Sequence, residues 1–153
     1  MIRAYTDGSS RGNPGPGGWG MMIVGGVERG GFEKMTTNNK MELQGVIEAM
    51  KYMILEAKIT EDIIEIYTDS EYVIKGTNEW MSSWIRRGWM TAAKKPVLNQ
   101  EYWKELSNLK YTLEKMGNTV TLRYVPGHAG VVENERVDTI ATTCAVEQRN
   151  HTL

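Results

Sequence analysis

The chain has 153 residues, 41% hydrophobic and 24% charged, with a formal net charge of −1. This is the size and balance of one globular domain whose core needs no disulfide or metal staple, and the charge excludes a protein that coats nucleic acid by bulk positive potential. No apolar run approaches the roughly 18 residues of a membrane span, MIRAYTDGSS at the N-terminus lacks the apolar segment of a secretory signal, and one cysteine, Cys144, allows no internal disulfide, so a soluble, cytoplasmic monomer is expected.

Residues 2–6 are β-prone and stop at Asp7, before the turn-rich GSSRGNPGPGG. Residues 19–24 and 27–35 flank Gly25-Gly26, whose tolerance of positive φ suits a two-residue hairpin turn. The first three strands should therefore form an antiparallel meander. TTNN then opens a helix with Leu43, Val46, Ile47, Met50, Ile54 and Ala57 on one face; Thr37 or Asn38 is the expected N-cap, and Glu42 falls in the first turn. IIEIYTD repeats the pattern of the first strand, a β-rich run closed by Thr-Asp at Asp69. Strand, helix, strand implies a right-handed crossover and parallel pairing, which brings Asp7 and Asp69 to one edge of a sheet.

Residues 71–84 read as a short helix, and the stretch to Val97 as irregular or as a second short helix around RRGW. No acid occurs from Met81 to Gln100, whereas Arg86, Arg87, Lys94 and Lys95 stand there with Trp84 and Trp89. This is one basic, aromatic-bearing segment in a slightly acidic chain. Tyr102, Leu106, Leu109, Leu113 and Met116, spaced by three and four, mark a helix stopped by Gly117-Asn118. TVTLRYV reads as a fifth strand, PGHAG as a loop, and residues 133–148 as a final helix with Asp138 near its start. Cys144, at helical spacing from Val137, Ile140 and Ala141, is expected in the core.

Open α/β sheets bind ligands beyond the carboxyl ends of their parallel strands, where Asp7 and Asp69 are placed. Glu42 and Asp138, near two helix starts, could join them. Four converging carboxylates repel one another unless cations or protons neutralise them, and a set without His or Cys suits Mg²⁺ or Mn²⁺ better than Zn²⁺. Two ions about 4 Å apart could activate a water and stabilise a leaving oxygen in phosphoryl transfer. Periodicity alone equally allows four scattered, solvated acids.

The segments YTDGSSRGNPGPGG, TTNNKMEL, YTDSEYV and GHAGVVENERVD, in that order and spacing, strongly resemble ribonuclease H type 1 in its single-domain bacterial or phage-like form. The resemblance runs over nearly the whole chain. It implies a ribonuclease H-like α/β fold: one domain over 1–153, a five-stranded mixed sheet in the order 3-2-1-4-5 with the first three strands antiparallel, and helices on both faces. The tail after about residue 148 is expected to be disordered.

The resemblance further implies a metal-dependent endonuclease that cuts the RNA strand of RNA–DNA hybrids and leaves 5′-phosphate and 3′-hydroxyl ends. Asp7, Glu42, Asp69 and Asp138 match the family's metal-binding catalytic acids, holding two Mg²⁺ ions with Mn²⁺ as a substitute, and His128 matches its mobile histidine. Asn13, Asn38 and Asn39 match residues that contact the minor groove, with Ser9, Ser10 and Glu42 as further candidates to read the 2′-hydroxyl. The segment WMSSWIRRGWMTAAKK resembles the basic protrusion that grips the DNA strand, through Trp84, Arg86, Arg87, Lys94 and Lys95. Setting the four acids aside takes the formal charge from −1 to +3, so a metal-loaded protein need not repel a polyanion.

Departures from the family pattern are Glu71, where many members have Gln, and Val131-Val132 after the GHAG loop. Glu71 adds negative charge beside the groove, and the changed loop bears on how His128 moves. Two other readings compete with the hybrid nuclease. An integrase-like DNA nuclease would keep the fold and the acids but not TTNN and the basic segment, and a silent hybrid-binding module would have no need of a metal cluster.

Overall fold

The computed structural model describes residues 1–153. β1 (Ile2–Ser10), β2 (Gly15–Ile23) and β3 (Glu28–Thr36) form the expected antiparallel meander. β1 also pairs in parallel with β4 (Ile63–Thr68), and β4 in parallel with β5 (Thr119–Tyr124). The sheet order is β5-β4-β1-β2-β3-β6, so the sheet has six strands where five were expected.

The extra strand, β6 (His151–Thr152), pairs with Arg29 and Gly30 of β3, in the tail that was expected to be disordered. The Glu28 carboxylate, where Arg136 and the tail meet, accounts for the docking. Arg136 donates to both carboxylate oxygens of Glu28, at 2.9 and 2.8 Å, while His151 Nε2 lies 3.2 Å from the same carboxylate. A bidentate guanidinium–carboxylate pair fixes geometry well, and it holds the Glu28 carboxyl below its usual range. Two residues carry no periodicity, so this strand has no sequence signature.

One face of the sheet is covered by α1 (Asn38–Leu55), with α4 (Gln100–Lys115) packed against it. Thr37 is the N-cap, its hydroxyl accepting from Lys40 N at 3.2 Å, and this places Glu42 in the second turn rather than the first. The predicted apolar stripe is buried from Leu43 to Met50, but the helix ends at Leu55 and Ala57 is exposed. The core between these layers includes Ala4, Val46, Ile47, Met50, Ile66, Leu106 and Leu122.

Trp103, one position from the predicted stripe of α4, is fully buried. Its Nε1 donates to Tyr72 Oη at 2.9 Å, which satisfies the one polar atom such a ring must bury. Trp84 packs edge-on against Trp103, with ring centroids 5.3 Å apart. The chain from Glu71 to Arg86 is helical throughout, as α2 (Glu71–Lys75), a wider π-helical turn (Gly76–Trp80) and α3 (Met81–Arg86). The stretch after it is neither helical nor loose. Trp89 O accepts from Val97 N at 3.0 Å and from Gln100 Nε2 at 2.9 Å, and Met90 bridges Pro96, so the basic segment is a tight, pinned turn.

The other face is covered by α5 (Val132–Glu147), which crosses β1, β2 and β3. Here the glycine-rich GPGG, expected as a turn, is strand. At Gly18 a Cβ would overlap Ala141 O and lie 2.7 Å from Ala145 N, so α5 rests directly on the backbone of β2. Cys144 is buried in this seam, as its spacing predicts. No helix is long and apolar enough to cross a membrane.

Candidate active site

β1 does not stop at Asp7 but runs through it to Ser10. Asp7 stands mid-strand, buried, beside Asp69 at the end of β4. Gly8 brings in the third acid. A Cβ at Gly8 would overlap the Met41 backbone, so only glycine lets this part of α1 lie on β1. Gly8 N–H then donates to Asp7 Oδ1 at 2.9 Å and to Glu42 Oε1. Asp7, Glu42 and Asp69 each present an oxygen within 4.8 Å of the others.

Burial drives the Asp7 carboxyl far above its usual range, and the negative charges of Glu42 and Asp69 push it further. Burial also raises Glu42, against the pull of its hydrogen bonds with Asp7, Gly8 and Ser70. Both shifts have one meaning: three acids this close cannot all stay ionised without a cation. The donor set is oxygen only, with no imidazole or thiolate in the cluster, which fits a hard divalent ion.

Asp138 joins from the far wall. It projects from the second turn of α5 into the same cleft, of about 450 Å³, which is lined by Asp7, Gly8, Ser9, Ser10, Asn38, Asn39, Glu42, Asp69 and Asp138. It lies outside the tight trio, so the four predicted acids form three plus one. No apolar side chain lines this cleft, which suits a wet, charged substrate better than a drug-like one.

The asparagines are arranged in a directional way. Asn38 Oδ1 accepts from Ser10 N at 2.7 Å and from Ser10 Oγ at 3.1 Å, and Asn13 Oδ1 accepts from Asn38 N at 3.1 Å. Both amide oxygens are thus used inside the protein. The Nδ2 donors make no bond within it and remain free at the exposed rim. Asn39 is exposed beside them and lines the cleft.

His128 lies in the exposed loop after β5, with φ 55, and this loop passes close to Asp69. A Cβ at Gly127 would stand 2.9 Å from Asp69 Oδ2, so the chain just before His128 backs onto the metal-ligand candidate. Arg86, Arg87, Lys94 and Lys95 are exposed on α3 and the pinned turn. Trp84, taken as a phosphate contact, instead turns its ring into the Trp103 cluster and supports that turn from below. Glu71 is exposed in the first turn of α2. The residues that sequence reasoning missed are Gly8, Gly127 and Ser70. Ser70 is buried, caps α2 by accepting from Val73 N at 3.1 Å, and its hydroxyl helps to hold the Glu42 carboxyl down against burial; its place directly after Thr-Asp was the available signal.

The sequence profile of the RNase H family matches residues 1–146. The chain is 54% identical over 145 residues to the ribonuclease H of Thermosynechococcus vestitus, covering 92% of this chain and 86% of the relative. It is 44% identical over 151 residues to that of Pseudomonas entomophila, covering 97% and 95%. Among solved structures, LC9-RNase H1, a type 1 RNase H, superposes with a TM-score of 0.83 at 30% identity over 99% of this chain and 76% of that one. LC11-RNase H1, solved in complex with an RNA/DNA hybrid, superposes with a TM-score of 0.74 over 97% and 99%; its 23% identity speaks for the fold alone.

Proposed function

Since the chain belongs to the RNase H family, we propose that it acts as one domain over residues 1–153, cutting the RNA strand of RNA–DNA hybrids at the cleft where Asp7, Glu42, Asp69 and Asp138 meet. The observation that carries this reading is the crowding of three oxygen-only acids, Asp7 and Glu42 buried and Asp69 half-buried, in one cluster that shares a fully polar cleft with Asp138. These four residues would hold two Mg²⁺ ions, with Mn²⁺ as a substitute. When bound, such ions activate a water for in-line attack and stabilise the leaving 3′ oxygen, giving 5′-phosphate and 3′-hydroxyl ends.

The chain's own groups do the rest. Gly8 N–H fixes the Asp7 and Glu42 carboxylates relative to each other, so that the ligand set is formed in advance. The free Nδ2 donors of Asn13 and Asn38, with Asn39, Ser9 and Ser10 beside them, face the minor groove and its 2′-hydroxyls, the groups that separate RNA from DNA. Arg86, Arg87, Lys94 and Lys95 hold phosphates of the DNA strand, and Glu71 weakens the grip at its edge. His128, on a loop that touches Asp69, moves a proton or assists product departure. The enzyme works in the cytoplasm as a monomer; its single cysteine, buried and unpaired, fits a reducing compartment.

Two substitutions probe these roles. Asn38→Asp keeps the oxygen that Ser10 needs and replaces the outward donor with an acceptor. It should raise KM for a hybrid about tenfold, roughly 1.4 kcal/mol, with kcat and thermal midpoint little changed; an unchanged KM would remove Asn38 from the substrate surface. His128→Ala should slow turnover by about 10²-fold and leave residual activity, and complete inactivity in single-turnover assays would show a larger role. The reading as a whole is tested by incubating purified protein with labelled RNA–DNA, RNA–RNA and DNA–DNA duplexes, with and without Mg²⁺. Cutting confined to the RNA of the hybrid is expected, and preferential cutting of DNA–DNA would support the integrase-like alternative.

A further inference from the structure

α5 crosses β1 to β3 and leaves β4 and β5 bare on its face of the sheet. A carboxylate is nevertheless buried there. Glu65 of β4 has a side chain only 10% exposed, enclosed by Arg123 Nε at 2.6 Å, Arg3 Nε at 3.5 Å and the Tyr67 hydroxyl, which donates to it at 3.0 Å. Tyr67 stacks on Tyr5 of β1, with centroids 4.8 Å apart and planes 15° from parallel. The two arginines lie over this group with side chains 54% and 51% exposed, each using Nε on Glu65 and leaving its terminal nitrogens without a hydrogen bond inside the protein.

This surface is continuous with the cleft. Tyr5 and Tyr67 precede Asp7 and Asp69 by two residues on adjacent parallel strands, so each pair lies on the same face, one row apart. Arg3 is four residues from Asp7, about 13 Å along a strand. That distance is roughly four nucleotides of duplex rise.

We propose that Arg3 and Arg123, oriented by Glu65 and the Tyr5–Tyr67 stack, form a second phosphate-backbone contact for nucleic acid that extends beyond the cut on the side away from the basic turn. The inference rests on the hybrid-nuclease reading. Its occupant follows from charge and continuity: two guanidiniums with free, outward donors match phosphate geometry, and a rigid partner beneath them removes the entropic penalty of ordering long side chains. Glu133, in the first turn of α5, is the acid that faces the Tyr5 side of the stack and opposes the contact.

The test compares two hybrids that both span the basic turn. One ends about two base pairs past the cut on the far side, and the other continues for about eight more. In the Arg3→Gln/Arg123→Gln double variant, KM for the extended hybrid should rise about tenfold and that for the short one should not change, with kcat constant on both. The slope of log KM against log salt should fall by about 1 for each arginine removed, a readout that loss of fold would not imitate. Glu133→Gln leaves the Glu65 network intact and should lower KM two- to threefold on the extended hybrid alone. It decides the matter if the double variant does not fold. Effects of equal size on both lengths, or no effect on either, overturn the proposal. Failure of the unmodified enzyme to cut either hybrid refutes the underlying reading instead.

Discussion

Asp7→Asn is expected to lower hybrid cleavage by about 10³-fold or more while making the metal-free protein more stable. The two effects share a cause. Asp7 is buried beside Glu42 and Asp69, and burial together with their charge drives its proton affinity up. An acid whose folded pKa lies above its unfolded value imposes no penalty below the unfolded pKa, near 4. It destabilises the fold progressively as pH rises toward the folded value, because the unfolded state releases the proton first.

Asparagine keeps the shape and carries no charge. The gain for Asp7→Asn should therefore be absent at about pH 4 and reach roughly 1–3 kcal/mol near pH 8 without metal. Adding Mg²⁺ should narrow or reverse the difference, because only the native acid gains from binding the ion. Thermal melts at the two pH values, with EDTA and with Mg²⁺, check each step. A variant less stable than the native protein at pH 8 in EDTA would show that the acids do not repel.

Gly18→Ala is expected to damage the fold far more than its size suggests. The added methyl would overlap Ala141 O and crowd Ala145 N and Cys144 Cβ, and two of these three are backbone atoms of α5 that cannot rotate away. The helix must lift from β2. The loss should be about 3 kcal/mol, at the upper end for overpacking, and the thermal midpoint should fall by roughly 6–12 °C. Because Asp138 rides on α5, activity should fall at temperatures where the variant is still folded. A melt within two degrees of the native protein's would mean that α5 does not rest on this strand.

These two positions also show what the sequence can and cannot carry. Asp7 and Asp69 were legible because each follows a β-prone run in a Thr-Asp pair, although β1 continues past Asp7, and the crossover rule for strand, helix, strand then joins them. Asp138, near a helix start, was legible only as an acid that could join them, and its catalytic role came from the family resemblance. The glycines around Gly18 were read as a turn, since glycine signals both freedom of φ and absence of a side chain, and local sequence does not say which is in use. Here the absent side chain matters, for a helix more than a hundred residues away in the chain.

Other differences have the same origin. Trp103 fell outside the apolar stripe of α4 because its ring packs against Tyr72, Gly76 and Trp84. β6 depends on a carboxylate far away in the chain, Glu28, which Arg136 fixes and His151 meets, and not on any pattern in its own two residues. The roles of Asn13 and Asn38 were expected from resemblance, but the division of each amide into an inward oxygen and an outward donor appears only once Ser10 and the start of α1 are adjacent.

The central claim is that the acid cluster holds divalent ions that direct water onto the RNA strand of a hybrid. It is tested most directly by cutting a hybrid with labelled RNA in Mg²⁺ and analysing the new ends. Internal cuts bearing 5′-phosphate and 3′-hydroxyl groups, abolished by EDTA, are the predicted result. Cyclic 2′,3′-phosphate ends, which require the RNA's own 2′-hydroxyl as nucleophile, or cutting that persists undiminished in EDTA, would contradict it.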